Sequence, residues 1–289
     1  VLTEFAPAKI NLCLHVTGRR RDRYHLLDSL VVFASIGDRL HAAAAGDLSL
    51  TIGGAFGAGL GTGPDNLVLR AAQALAIRLG RPPGARLHLE KDLPIASGIG
   101  GGSADAAAAL RVLADLWDLA PAERTILPEI AVELGADVLV CLTSLPARMR
   151  GIGEEIDSVT LPLLHMVLVN PGVPVPTAAV FEALALLPGA TGSQPLYLQS
   201  WTQASCLLAW LADTHNDLQA PAIGLCPQIT GALDALLGTS GCRFARMSGS
   251  GATCFGLYET AGEAEIAASS LSASGWWARA GATIRPASG

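Results

Sequence analysis

The chain has 289 residues, of which 51% are hydrophobic and 15% charged, and its net charge is −6. This composition excludes intrinsic disorder, which needs low hydrophobicity and high charge, and it carries the wrong sign for a general nucleic-acid binder. The length suits one large domain or two ordinary ones, with a core that needs no covalent staples.

Mean hydropathy is high, at +0.42, which raises the question of a membrane span. The longest uncharged run lies between Glu182 and Asp213 and is broken by Pro188, Gly189, Gly192 and Pro195. A spanning helix wants about 20 mostly apolar residues in a row, so no membrane partner is expected, and alanine richness accounts for the index. Val1-Leu2-Thr3-Glu4 has neither a basic start nor an apolar stretch, so no leader is expected. Six cysteines without a C-x-x-C pair read as small buried hydrophobes of a reducing cytoplasm, with no zinc spacing.

In chain order, 10–16 alternates apolar and polar residues as a half-buried strand does. A basic, turn-rich stretch follows at 18–25, then strands at 30–33 and 48–52, and a glycine-dense loop at 53–63. Helical spacing covers 66–79, with Leu67, Ala71, Leu75 and Leu79 on one face. A strand at 86–90 precedes an alanine-rich helix at 103–116 and another at 128–134, ending near Gly135. The character changes near residue 160, where a boundary divides an N-terminal part, 1–160, from a C-terminal part, 161–289. The second part reads as a strand at 165–169, helices near 178–187, 204–212 and 228–237, strands at 243–247 and 253–258, a helix near 262–271 and a last strand near 278–285. Strands and helices mixed without strict alternation indicate an α+β fold.

The strongest chemical signal is Leu93-Pro94-Ile95-Ala96-Ser97-Gly98-Ile99-Gly100-Gly101-Gly102-Ser103-Ala104. Four glycines in five positions run directly into a helix, and a helix N-terminus offers orphan N–H donors to an anion. The bland alternative is a glycine-rich helix start with Ser103 as N-cap. A Walker A loop is excluded, since no Lys follows the glycines, and the glycine spacing departs from the dinucleotide fingerprint. A second glycine segment, Ser248-Gly249-Ser250-Gly251, lies between two expected strands, where it would bind phosphate, pack against the first loop or simply turn a hairpin. Only two lysines occur, Lys9 and Lys91, against seventeen arginines. Lys9, on the opening strand, and Asp137, in Gly135-Ala136-Asp137, have apolar neighbours that suit a buried or cleft role.

Together these pieces resemble the GHMP kinase superfamily. Ala6-Pro7-Ala8-Lys9 is similar to its first motif, 94–107 to its second and 248–251 to its third. Lys9-Ile10-Asn11, Asp22-x-Tyr24-His25, Pro64-Asp65-Asn66, Gly135-Ala136-Asp137 and Pro176-Thr177 further resemble the branch that phosphorylates a cytidine-diphosphate-linked methylerythritol. Departures from that pattern are Arg23 for a glycine, Ala104 for a serine, Leu139 for a proline and Gln219 for a glutamate.

The resemblance implies an N-terminal part like ribosomal protein S5 domain 2, a ferredoxin-like C-terminal part and an active site in the cleft between them. It implies ATP-dependent phosphorylation of the acceptor's 2-hydroxyl in non-mevalonate isoprenoid precursor synthesis. Asp137 would take the hydroxyl proton and Lys9 would hold Asp137 ionised. Residues 94–104 would bind ATP, Gly98 to Ser103 wrapping its phosphates, with Mg²⁺ bridging them and Ser103 a candidate ligand, while Asn66 and Lys91 would serve the nucleotide side. Asn11, Thr177 and 248–251 would face the acceptor, Tyr24 and Phe181 would flank cytosine, and His25 would read its edge. A kinase of another small alcohol, or a catalytically silent nucleotide-binding sensor, are the competing readings.

Overall fold

The computed structural model of the chain describes residues 1–285. Two compact units interleave along the sequence. Residues 1–8, 37–95 and 100–144 form the first, and residues 9–36, 96–99 and those from 145 onward form the second. Two long strands, β1 (Leu2–Arg19) and β2 (His25–Ala44), each contribute residues to both units.

In the first unit the C-terminal half of β2 pairs antiparallel with β4 (Ala85–Glu90), with Arg39 opposite Glu90 and Ala44 opposite Ala85. β4 pairs parallel with β3 (Ser49–Gly53). A parallel pair needs a crossover, and α1 (Leu67–Arg78) lies in that connection. It buries Val68, Leu69, Ala71, Ala72, Leu75 and Ala76, so Ala71 and Leu75 of the expected stripe are buried while Leu67 and Leu79 are only half-buried. Against it packs α2 (Gly101–Leu116), joined by α3 (Leu127–Leu134) and α4 (Ala136–Thr143). Alanine at 104 and 106–109 leaves α2 buried almost all round, which lets neighbouring backbones come close.

In the second unit the N-terminal half of β2 pairs with β5 (Ala147–Gly151), and β5 forms a hairpin with β6 (Glu155–Ser158). A separate antiparallel sheet runs β10-β7-β9-β8, where β7 is His165–Asn170, β8 Phe244–Met247, β9 Cys254–Tyr258 and β10 Trp277–Ala282. Helices α8 (Gln228–Leu237) and α9 (Ala261–Ala273) pack on this sheet, and Ile229, Ala232, Leu236, Ala264 and Leu271 fill its core. The remaining helices are α5 (Thr177–Ala183), α6 (Ala204–Ala212) and α7 (Gln219–Leu225). The expected division at residue 160 is not that of the two units: residues 9–36, 96–99 and 145–160 group with the later part of the chain.

Several expectations are corrected. β1 is buried on both faces, not one: its polar row, Lys9, Asn11 and His15, is 5%, 3% and 7% exposed. β2 extends far beyond 30–33, because its polar interruptions at Asp28, Ser29 and Asp38 are all buried in a continuous strand. β5 and β6 were not expected; Arg148, Arg150, Glu155 and Asp157 hide them, and only pairing makes them strands. α7 carries Pro221 in its first turn, where a missing N–H costs nothing. α2 begins at Gly101 with Gly100 as its N-cap, so Ser103 is no cap. Cys206 is exposed, unlike the buried Cys13, Cys141, Cys226 and Cys254. No helix among the described residues is long and apolar enough to cross a membrane.

Gly37 shows how closely β1 and β2 approach in the first unit: a Cβ there would lie 2.3 Å from the Ala6 carbonyl oxygen and 2.8 Å from Pro7 Cα. Neither backbone can yield without breaking the sheet. Gly37→Ala is expected to lower unfolding free energy by about 1–3 kcal/mol, the usual cost of forced overpacking; chemical denaturation of both proteins measures it.

Candidate active site

The second unit brings the two glycine segments together backbone to backbone. The Ser248 hydroxyl donates to the Gly98 carbonyl at 3.0 Å and accepts the Asn11 N–H at 3.0 Å. The N–H of Lys9 donates to the Ile99 carbonyl, and that of Thr253 to the Ser97 carbonyl. Gly98 has φ +75, and a Cβ on it would stand 2.5 Å from both Gly251 N and Ser248 O; one on Gly249, with φ +54, would stand 2.5 Å from Gly98 O. Of the three uses open to 248–251, packing against the first loop is therefore realised. Asn216 fixes this turn by donating to the Met247 and Gly249 carbonyls. Gln219 accepts the Met247 N–H, a task a glutamate oxygen would perform equally. Thr177 and Ser250 share a hydroxyl–hydroxyl bond at 2.8 Å. Asn11 donates its amide to Ser29, while its Oδ1 is buried without a hydrogen-bond partner. An amide oxygen in that state suits a donor brought by a ligand, such as a hydroxyl.

The acceptor residues expected from the resemblance lie in the same unit. The turn after β1 places Arg23 at φ +77, the left-handed region that glycine occupies freely, so this departure keeps the glycine-like turn at some conformational cost. Tyr24 is 60% exposed. Phe181, on α5, stacks on His25 at 4.7 Å between ring centroids. The ring of His25 thus has one aromatic neighbour already, and its Nε2 is buried without a partner. Burial first, and the Arg19 charge second, hold its pKa below the ordinary imidazole value.

In the first unit α2 starts from Gly100, at φ +64, and its first helical bond runs from Ala104 N–H to the Gly100 carbonyl. The N–H groups of Gly101, Gly102 and Ser103 precede that bond and have no acceptor within the helix. The first side chain after the glycines is the half-buried Ser103, and Ala104 is fully buried. Asn66 caps α1, accepting from Val68 N–H and donating to the Gly61 carbonyl. Of the other loop residues, Pro94 is buried, Ile95 half-buried and Ala96 exposed at φ +50.

Lys91 is not a surface cation reaching for a nucleotide. Its ammonium is 3% exposed and lies 2.5 Å from Asp38 Oδ2 and 2.6 Å from Asp105 Oδ2. The other Asp38 oxygen accepts the N–H groups of Asp92 and Leu93. Gly101 sits over this cluster, where a Cβ would come 3.0 Å from Lys91 Nζ. The two carboxylates outweigh the effect of burial on Lys91 and raise its pKa. One ammonium cannot neutralise both acids. Burial pushes Asp105 up to about 7, with Lys91 pulling against it and Asp38 adding to it.

Asp137 stands half-buried in the first turn of α4, where the helix dipole favours negative charge. Arg111 holds the far end of α4 through the Cys141 and Leu142 carbonyls, and it also binds Glu4 and the Phe5 carbonyl. Lys9 belongs to the second compact unit and Asp137 to the first.

Sequence reasoning missed Asp38, Asp105, Ser29 and Asn216. Asp105 alone left a signal, an acid inside an otherwise apolar helix; the others are ordinary polar residues until long-range contacts are known. A raised carboxyl pKa means the folded state holds a proton the unfolded chain releases. The stability it contributes is complete below about pH 4 and is lost as pH rises through about 7. Asp105→Asn should therefore be close to wild type in stability at about pH 4, gain on it steadily from about pH 4 to about pH 7, and hold a constant lead above that. Urea unfolding across that range reads the difference, and a pH-independent gap would remove the assignment.

Residues 66–144 match the profile for the GHMP kinases N terminal domain, and 199–275 that for the GHMP kinases C terminal. The chain is 54% identical over 280 residues to 4-diphosphocytidyl-2-C-methyl-D-erythritol kinase of Parvibaculum lavamentivorans, covering 96% of each protein. It is 50% identical over 285 residues to the kinase of that name from Ruegeria pomeroyi, covering 97% of this chain and 98% of the relative. Among solved structures, a 4-(cytidine 5'-diphospho)-2C-methyl-D-erythritol kinase superposes with a TM-score of 0.80 at 35% identity, over 99% of this chain and 100% of the other. A homoserine kinase from Cytophaga hutchinsonii superposes with a TM-score of 0.64 at 18% identity, over 98% and 94%, which shows the fold alone. The expected α+β fold class, with a GHMP kinase N-terminal and a C-terminal part, is found. The chain belongs to the GHMP kinase family, and within it to the 4-diphosphocytidyl-2-C-methyl-D-erythritol kinases.

Proposed function

We propose that the chain transfers the γ-phosphoryl group of ATP to the 2-hydroxyl of 4-diphosphocytidyl-2-C-methyl-D-erythritol, a step of non-mevalonate isoprenoid precursor synthesis carried out in the cytoplasm. The observation that carries this reading is the 54% identity spanning 96% of both chains to a kinase of that name. The acceptor oxygen attacks the γ-phosphorus, the bond to the bridging oxygen breaks, and ADP leaves. Asp137 takes the hydroxyl proton, and Lys9 holds that carboxylate in its charged form. Phosphoryl transfer asks mostly for positioning and charge stabilisation, and the free N–H groups of Gly101, Gly102 and Ser103 fit an anionic polyphosphate.

Among the described residues no group of three His, Cys, Asp or Glu side chains is arranged to hold a metal. That suits Mg²⁺ arriving with the nucleotide, since this ion keeps phosphate and water ligands, with Ser103 as the nearest hydroxyl on the helix start. Bound there, Mg²⁺ would neutralise charge on the phosphate oxygens. Asn66 and residues 94–104 serve the nucleotide side, with the Lys91 side chain buried beneath Gly101. Asn11, Thr177 and 248–251 orient the acceptor, while Tyr24, His25 and Phe181 hold its cytidine end.

A coupled ADP-release assay over a panel of alcohols separates this reading from a kinase of another small alcohol and from a silent sensor. Turnover confined to the cytidylylated acceptor is expected; equal turnover of the uncytidylylated 4-phosphate, or none of any alcohol, would overturn it. Asp137→Asn is expected to lower kcat by about 10²–10⁴-fold, as loss of a general base does, with a much smaller change in either KM. A kcat within a fewfold of wild type would remove the base assignment. Tyr24→Ala should raise the acceptor KM selectively, since stacking on a base is worth about 1–3 kcal/mol. An unchanged acceptor KM takes Tyr24 out of the subsite.

A further inference from the structure

Two elements carry the residues assigned to the cytidine end. One is the turn from Arg20 to Tyr24 that leads into β2 and His25; the other is α5, with Phe181, and the segment that follows it. The Arg19 side chain bridges them. Arg19, the last residue of β1, donates its Nε to the Arg23 carbonyl at 3.2 Å and its Nη1 to the Leu186 carbonyl at 2.7 Å. The backbone repeats the join: Arg19 N–H donates to the Ala190 carbonyl, and Gly189 N–H to the Arg19 carbonyl. The turn closes on itself through the Arg20 N–H to the Tyr24 carbonyl at 2.7 Å, and Arg20 takes Asp22 as its own ion-pair partner at 2.7 Å. Arg19 is thus left to two carbonyl oxygens, one on each element.

We propose that Arg19 is a positioning residue of the acceptor subsite, setting the spacing between the Tyr24 turn and the segment after α5 so that the unpartnered Nε2 of His25 meets the edge of a pyrimidine. The proposal rests on the kinase reading above. The stack of His25 on Phe181 spans the same two elements, so a change in their spacing alters both the stack and the direction of Nε2. Arg19 also acts on His25 through its charge, which adds to burial in keeping the imidazole neutral. In a neutral ring with its proton on Nδ1, Nε2 is an acceptor, to which the amino group of an amino-pyrimidine can donate. Removal of Arg19 therefore has two consequences, looser geometry and a His25 that takes up a proton at higher pH.

The test uses the full chain with Arg19→Met and Arg19→Lys. Steady-state KM for the cytidylylated acceptor and for ATP are measured from pH 5.5 to 8.5, and binding of cytidine 5'-diphosphate is measured by calorimetry. Arg19→Met should raise the acceptor KM about tenfold or more, the scale for losing a hydrogen bond from a charged donor, while the ATP KM changes less than twofold. The acid limb of the acceptor KM profile should move to higher pH. Arg19→Lys keeps the charge but cannot reach both carbonyls, so it should restore the acid limb and leave the affinity weakened. An unchanged acceptor KM and an unmoved limb in Arg19→Met overturn the proposal while leaving the kinase reading intact. A wild-type chain that neither phosphorylates the acceptor nor binds cytidine 5'-diphosphate overturns both.

Discussion

The contact on which the second unit depends is the approach of one backbone to another. Residues 97–99 lie against 248–253 so closely that neither Gly98 nor Gly249 has room for a Cβ. The bonds across that contact run to main-chain carbonyls: Ser248 to Gly98, and Thr253 to Ser97. Lys9 and Asn11 on β1 are drawn into the same network, through Ile99 and Ser248. Residues 97–99, held this way, have little conformational freedom left.

Charge in the interior is handled locally. Lys91 is neutralised by Asp38 and Asp105 within the first unit. Asp28 receives the two-pronged Arg148 guanidinium and the Leu196 N–H in the second. Arg246, with burial lowering its pKa to about 10, spends its donors on the Leu12, Leu211 and Thr214 carbonyls and the Thr214 hydroxyl. Against this background the polar atoms left alone stand out. Asn11 Oδ1 and His25 Nε2 are two of them, and both belong to residues assigned to the acceptor. The indole nitrogens of Trp117 and Trp201 are also unpartnered, away from any proposed role, so an orphan atom points to a ligand only beside other reasons.

Elements with strong local periodicity were legible from the chain alone. α6 and α8 run over the expected residues, and α1 lies within 66–79 with Asn66 and Leu79 as its caps. The strands of the C-terminal sheet were placed to within a few residues, because β-branched and aromatic residues cluster there between turns. β5 and β6 were invisible, since alternating charge on a short segment reads as a solvated loop until β2 supplies a partner. The identity of the chemistry was legible for a different reason. Glycine loops and the residues that touch phosphate tolerate few alternatives, so their order along the chain is recognisable even where the fold around them is not.

What the sequence by itself determined was the α+β class and the kinase family, both of which rest on local patterns and their order. The tertiary structure alone decided which polar residues face inward and with whom. It showed that Lys91 is a buried bridge between two acids, that His25 stacks on Phe181, that the second glycine segment packs on the first, and that the polar row of β1 is buried. Each of these joins residues far apart in the chain, as Asn11 and Ser248 are. A side chain's pKa, exposure and free hydrogen-bonding capacity depend on such neighbours. No local pattern encodes them, because burial and pairing are properties of the folded surroundings and not of the residue.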